Sequence, residues 1–137
     1  MFPHGSQGEA SGSVPEVCVR AWLSAAPKTK LTIMGHSYGG HAANQLASVL
    51  EEPKSAIDSV FSLDPRTRMY TGQLGRTKNA ALWLNFYQTN TPFLNGYVVP
   101  GADLNVNLSP TGIGHTSLPA AVEVFNAVAD HLLGSYP

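Results

Sequence analysis

Apolar residues recur along the chain with helical spacing in some segments and as short unbroken runs in others. The first helical segment follows Ser13, because Ser13-Val14-Pro15-Glu16 has the capping-box pattern with proline in the first turn. We expect this helix to end at Pro27. Its apolar positions predict a face turned to the core, formed by Val14, Val17, Cys18, Ala21 and Ala25.

Three apolar runs predict the strands of a sheet. They are Leu31 to Met34, Ile57 to Leu63 and Ala81 to Tyr87. Between the first two, a helical segment from Tyr38 to Leu50 carries small residues that suit close packing of a helix on a sheet. Strand, helix and strand in this order predict a parallel sheet with right-handed crossovers.

The pattern changes after Tyr87. Gly96 to Val99, a Pro100-Gly101 turn and an alternation of apolar residues with asparagine from Leu104 to Leu108 predict a β-hairpin at one edge of the sheet. A final helix, with Ser117 and Pro119 at its start, should cover one face of the sheet with Leu118, Ala121, Val122, Phe125, Val128, Ala129, Leu132 and Leu133. The predicted fold class is therefore α/β, a mostly parallel sheet flanked by helices.

Length and charge restrict the number of domains and the kinds of partner. The 137 residues predict one domain, with a loop or mobile terminus at residues 1–12. A net charge of -1 offers no basic surface for nucleic acid. With no apolar segment of membrane-spanning length and no export signal at the N-terminus, we expect no integral membrane association. Charged residues make up only 12%, which favours burial of some surface against a second copy.

Candidate chemistry lies in Gly35-His36-Ser37-Tyr38-Gly39-Gly40, which joins the first apolar run to the second helix. We expect a side chain at Gly35 or Gly39 to obstruct the turn, so that Ser37 projects at its tip. A turn at a helix N-terminus directs backbone N–H groups and the positive end of the helix dipole toward a developing oxyanion. Ser37 is the candidate nucleophile and the amide of Tyr38 the first oxyanion donor.

A serine nucleophile needs an imidazole to take its proton and a carboxylate to orient that imidazole. His115 lies in a glycine-rich loop between the last predicted strand and the last helix, whereas His36 is expected to point away from Ser37. Asp64 ends the strand after the nucleophile strand, so its carboxylate should emerge at the same sheet edge as Ser37. Asp103 is the alternative acid, closer in sequence to His115, although turn chemistry also explains an aspartate there.

The segment Gly35 to Ala43, followed by Phe61-Ser62-Leu63-Asp64-Pro65, closely resembles the nucleophile elbow and acid strand of α/β-hydrolases of the neutral lipase type. The resemblance covers residues 30–66, and His115 by position and chain order. It implies a truncated α/β-hydrolase core with Ser37, Asp64 and His115 as a triad, and no metal or organic cofactor. In that family a loop containing His-Gly supplies a second oxyanion amide, and Pro3-His4-Gly5-Ser6 resembles the end of that loop, which makes the amide of Gly5 or Ser6 the candidate donor.

The resulting expectation is a serine esterase or lipase that hydrolyses small carboxylic esters, because the segment from Arg66 to Lys78 is polar and basic where an apolar lid would lie. Two alternatives stay open. One is a catalytically silent domain or fragment that serves assembly or binding, and the other is a further acyl-transfer enzyme such as a thioesterase, which would use the same triad. An exposed sheet edge predicts association with a second copy.

Overall fold

The computed structural model describes residues 14–52, 54–67 and 75–134, and the loop predicted at residues 1–12 lies outside them. The elements in chain order are α1 (Val14–Ala25), β1 (Thr32–His36), α2 (Tyr38–Val49), β2 (Ile57–Leu63), β3 (Ala80–Tyr87), β4 (Leu104–Asn107) and α3 (Val122–Leu132). Two 3-10 turns, Ser109–Thr111 and Leu118–Ala120, lie between β4 and α3. No helix in the described ranges is both long enough and apolar enough to cross a bilayer.

The four strands form one parallel sheet in the order β1-β2-β3-β4. Gly35 pairs with Ser62, Ser62 with Asn85, and Asn85 with Asn105. The carboxyl ends of parallel strands meet at one edge of the sheet. The residues that follow β1 and β2, which are Ser37 and Asp64, therefore come to the same edge, and the predicted α/β class with a parallel sheet is confirmed.

Apolar clusters cover both faces of the sheet, because successive side chains of a strand point to opposite faces. On one face α2 packs Ala43, Ala47 and Leu50 against residues that include Val60 and Trp83. The small alanines let the α2 backbone approach the sheet closely. On the other face lies a second cluster, to which the strands contribute Phe61, Leu63, Leu84 and Phe86 and the C-terminal segment contributes Leu118, Ala121 and Val124.

Helix α1 forms at the predicted place but turns its apolar face outward. None of its residues is buried, and Val14, Val17 and Cys18 are exposed. The physical reason is Arg20, whose guanidinium donates to the carbonyls of Val49 (2.7 Å) and Glu52 (3.0 Å) at the C-terminal end of α2. A cation there compensates helix carbonyls that lack intrahelical donors. The predicted core face of α1 is therefore wrong.

The predicted β-hairpin is also wrong, since β4 pairs with β3 in parallel and residues 96–99 form no strand. The side chain of Asn105 takes the place of the backbone hydrogen bonds that a hairpin would form. Its Oδ1 accepts from the amide of Val99 (2.8 Å), and its Nδ2 donates to the carbonyl of Val99 (3.1 Å). Asn85 donates to the carbonyl of Tyr97 (2.9 Å) in the same way. Asparagine side chains thus hold residues 96–99 as a loop.

The last helix covers one face of the sheet as predicted, but with a narrower apolar side. Ser117 and Pro119 begin the turn Leu118–Ala120, and Ala121 is extended, so α3 starts only at Val122. This break changes the phase of the helix and directs Val124 into the core. Four residues predicted to be in the core are exposed instead, namely Val122, Phe125, Leu132 and Leu133.

Candidate active site

Ser37 lies in the tight turn between β1 and α2. Its backbone has φ 58° and ψ -125°, a conformation that L-residues seldom adopt. Backbone hydrogen bonds hold it there: its amide donates to the carbonyl of Leu63 (2.9 Å), and its carbonyl accepts from the amides of Gly40 and Arg66 (both 3.0 Å). The strained residue is therefore fixed against β2 and the chain that follows it.

Two glycines make room for this turn. A Cβ on Gly35 would lie 2.0 Å from the carbonyl oxygen of Gly39, and a Cβ on Gly40 would lie 2.9 Å from the Cβ of Pro65. A Cβ on Gly39 would meet nothing within 4 Å. The steric prediction thus agrees with the structure for Gly35 and is wrong for Gly39, and Gly40 is the second position at which the packing excludes a side chain.

The side chain of His115 connects Ser37 with Asp64. Its Nδ1 lies 2.6 Å from Oδ2 of Asp64 and its Nε2 lies 2.9 Å from Oγ of Ser37. Because a carboxylate oxygen can only accept, Nδ1 donates to Asp64 and the lone pair of Nε2 faces the serine hydroxyl. This is the tautomer and the geometry that a base needs to remove the serine proton.

Asp64 is fully buried at the end of β2, with a positive φ of 47°. Besides His115, it accepts from the amide of Gln88 (3.0 Å, to Oδ1) and from Nε2 of Gln88 (2.7 Å, to Oδ2). Three N–H donors compensate the loss of water around the carboxylate. Gly96 packs directly against it, since a Cβ there would lie 2.1 Å from Oδ1.

Sequence analysis missed Gln88, although a positional signal exists. Gln88 follows β3 as Asp64 follows β2, so both emerge at the same edge of the parallel sheet. Its Oε1 accepts from the amides of Asn90 (2.7 Å) and Thr91 (2.9 Å), and Nε2 also donates to the carbonyl of Leu94 (2.8 Å). The buried amide thus connects the acid with the loop that follows β3.

His36 is the second residue without a predicted role. The structure places its ring against that of His115, with ring centroids 4.6 Å apart and planes inclined by 35°. Its Nε2 lies 2.9 Å from the carbonyl oxygen of His115. The pKa of His36 is lowered from the ordinary 6.5, and burial is the largest cause. The charge of a protonated His115 also lowers this pKa, whereas the hydrogen bond to the carbonyl of His115 and the charge of Asp64 raise it.

Asp103 directly precedes β4 and lies beside Trp83, in the middle of β3. Its Oδ2 accepts from the amide of Trp83 (2.7 Å), and its Oδ1 pairs with Arg76 (2.5 Å). Burial works against the charged form, but the bond from Trp83 and the charge of Arg76 prevail, and the pKa of Asp103 is lowered. None of its hydrogen bonds within the described residues reaches His115, so the structure brings together Ser37, Asp64 and His115, and leaves Asp103 apart.

The oxyanion donors are described only in part. Tyr38 is the first residue of α2, so its amide lies at the positive end of the helix dipole and next to Ser37. Gly5 and Ser6, whose amides are the candidate second donors, lie outside the described residues. Within residues 14–52, 54–67 and 75–134, no three side chains of His, Cys, Asp or Glu are grouped as metal ligands.

Comparisons of the chain with models of protein families, with curated proteins and with solved structures find no match.

Proposed function

We propose that this chain is a serine hydrolase of the α/β-hydrolase type that cleaves carboxylic esters through an acyl-enzyme. The observation that carries the proposal is the unbroken hydrogen-bond chain from Ser37 through His115 to Asp64, 2.9 Å and 2.6 Å long at its two links. Such a chain activates a hydroxyl that is otherwise a weak nucleophile. The resemblance of residues 30–66 to α/β-hydrolases of the neutral lipase type supports the same function.

In the proposed reaction, Oγ of Ser37 attacks the ester carbonyl carbon while Nε2 of His115 takes the serine proton. The electron pair of the carbonyl bond moves to its oxygen, which the amide of Tyr38 and the positive end of α2 stabilise. When the pair returns, the C–O bond to the alcohol breaks and His115 gives its proton to the departing oxygen. Water then attacks the acyl-enzyme by the same steps and releases the acid.

Asp64 has two tasks in this scheme. Its bond to Nδ1 selects the tautomer in which Nε2 is free to accept a proton, and its negative charge stabilises the imidazolium that forms. For the substrate we propose small esters with short acyl chains, on the basis of the polar and basic sequence from Arg66 to Lys78. A thioester would be attacked by the same groups, so the acyl-transfer alternative differs only in the leaving group.

The proposal is tested by labelling the purified protein with a fluorophosphonate, followed by intact mass spectrometry and peptide mapping. We expect one adduct, on Ser37, and none in Ser37→Ala, which should also lose ester hydrolysis while keeping its circular dichroism spectrum. A panel of p-nitrophenyl esters from acetate to octanoate, with matched thioesters, then measures the acyl and leaving-group preference. Wild-type protein that is folded but takes no label, or Ser37→Ala that still turns over esters, would overturn the proposal.

We also propose that two copies associate through the β1 edge of the sheet. β1 is one of the two terminal strands in the order β1-β2-β3-β4, and a terminal strand presents backbone groups on its outer side that no other described strand pairs. Beside it, Met34 lines an apolar groove together with Pro119, Val122 and Phe125, and three of these side chains are exposed, namely Met34, Val122 and Phe125. Pairing of two such edges would cover both the strand and the groove.

A further inference from the structure

We propose that His36 is a positioning residue of the triad: its neutral ring holds the main chain of His115 and lies against the imidazole, so that the base stays in line with Ser37 and can become positively charged. This inference rests on the proposed serine hydrolase function. The ring of His36 lies against the ring of His115, and its hydrogen bond goes to the backbone carbonyl of His115.

The hydrogen bond identifies the protonated nitrogen of His36. The partner of its Nε2 is the carbonyl oxygen of His115, at 2.9 Å, and a carbonyl oxygen can only accept. Nε2 therefore carries the hydrogen, and the neutral ring has its lone pair on Nδ1. The imidazole of His36 acts as a donor to the main chain of the residue that carries the base.

The main chain of His115 is held on both sides. Its amide donates to Oγ1 of Thr91 (2.9 Å), while its carbonyl accepts from His36. With both polar groups of the residue bonded, the Cα from which the imidazole extends has little freedom to move. Nε2 of His115 is then kept at 2.9 Å from Oγ of Ser37, and displacements of about 1 Å in such geometries cost up to roughly 100-fold in rate.

The ring contact adds an electrostatic requirement. When His115 takes the proton of Ser37, a positive charge forms on a ring whose centroid lies 4.6 Å from that of His36. A neutral ring tolerates this charge, whereas a protonated His36 would repel it. The charged groups that act on His36 are His115 and Asp64, and burial, the largest effect, favours its neutral form.

Two substitutions separate the hydrogen bond from the ring. His36→Gln places an amide nitrogen near the position of Nε2 but has no ring, and His36→Phe keeps an aromatic ring but has no donor. His131→Gln is the matched control, because His131 on α3 bonds Asp58 (2.7 Å) and takes no part in the site. For each protein we would measure the second-order rate of fluorophosphonate labelling, and kcat and KM for p-nitrophenyl acetate, between pH 5 and 9.

We expect fluorophosphonate to label His36→Phe between about tenfold and 100-fold more slowly than wild type. The loss of ester turnover should appear in kcat, while KM stays nearly unchanged. His36→Gln should recover part of that loss. In wild type, protonation of His36 in acid should add a further loss of rate, because it places a positive charge on a ring 4.6 Å from that of His115, whereas neither variant has an ionisable group at position 36 and both should lack this additional loss. His131→Gln should match wild type in rate and in pH profile.

The outcomes distinguish this inference from the function on which it rests. If wild type labels at Ser37 and both His36 variants match its rate and pH profile, the positioning role is wrong and the hydrolase function stands. If the variants are slowed equally with an unchanged acid limb and lower melting temperatures, His36 is only structural, and the inference is overturned. If folded wild type takes no label, the proposed function itself has failed.

Discussion

Gln88 shows how much of the candidate site depends on residues that do not react. It is fully buried, it bonds both oxygens of Asp64, and its own Oε1 accepts the amides of Asn90 and Thr91. Thr91 in turn accepts the amide of His115. A single amide side chain therefore fixes Asp64 and, through the loop after β3, His115.

Substituting Asp64 and Asp103 separately tests which of the two carboxylates acts as the acid. Asp64→Asn should lower kcat by on the order of 10³ to 10⁴-fold, because an amide can present its NH₂ to His115 and favour the wrong tautomer. Asp103→Asn should change kcat less than about tenfold, since Asp103 bonds Trp83 and Arg76 instead of His115. Steady-state kinetics with one ester on both variants decides between them, and the opposite ranking would give the acid role to Asp103.

Asp103→Asn should also change how the free energy of unfolding depends on pH. The pKa of Asp103 is lowered in the folded protein, so its charged form contributes stability above the ordinary value of 3.8, and this contribution is lost as the pH falls below it. Urea unfolding should show Asp103→Asn less stable than wild type at pH 7, with the difference shrinking below about pH 4. A difference that stays constant into acid would mean that the carboxylate charge contributes nothing.

At the scale of elements, the turn between β1 and α2 combines strain with close packing. Ser37 has a positive φ, and the backbone of Gly39 lies where a side chain on Gly35 would be. The turn persists because its backbone bonds to Gly40 within α2, and to Leu63 and Arg66 at and after the end of β2. The strand, the turn and the helix therefore act as one unit that presents the serine.

Two glycine substitutions test this unit. Gly35→Ala should cost about 3 kcal/mol of unfolding free energy or more, because its Cβ would lie 2.0 Å from a backbone oxygen that cannot move alone. Gly39→Ala is the matched control: its Cβ meets nothing within 4 Å, and the position is helical, so we expect a change within about 1 kcal/mol, toward greater stability. Urea unfolding measures both, and equal costs would contradict the packing argument.

At the scale of the molecule, several groups of apolar side chains among the described residues remain exposed, and two of them form patches on helices or strands. One is the groove beside β1, where Met34, Val122 and Phe125 lie, and the other is the outer face of α1 with Val14, Val17 and Trp22. Contiguous exposed apolar surface indicates interaction sites in soluble domains. Of these two patches, the first lies beside β1, whose outer side is paired with no other strand of the described residues and can add backbone hydrogen bonds to apolar burial.

A pair of substitutions tests which patch binds a second copy. Met34→Lys places a charge in the groove beside β1 and should shift the protein toward monomer, whereas Trp22→Lys alters the outer face of α1 and should leave association unchanged. Size-exclusion chromatography with light scattering over a range of concentrations measures the mass. A wild-type protein that is monomeric at every concentration would count against the proposed dimer.

The sequence by itself determined the features that depend on local order. The glycines around Ser37, the apolar runs of β1, β2 and β3 and the small residues of α2 are all readable from neighbouring positions, because strand and helix periodicity repeat within a few residues. Parallel order followed from strand–helix–strand alternation, and it placed Ser37 and Asp64 at one sheet edge before any distance was known. His115 was indicated by its glycine-rich loop between the last predicted strand and the last helix, and by chain order.

Only the tertiary structure decided the features that depend on contacts between distant positions. His115 is 78 positions from Ser37 and 51 from Asp64, and their hydrogen bonds exist because the sheet brings three loops together. The outward turn of α1 follows from Arg20 bonding α2, and the missing hairpin from Asn105 bonding Val99. Side-chain bonds between distant positions leave no periodic trace in the sequence, so the contacts of His36 and Gln88 became visible only in the folded chain, although the position of Gln88 directly after β3 was a signal.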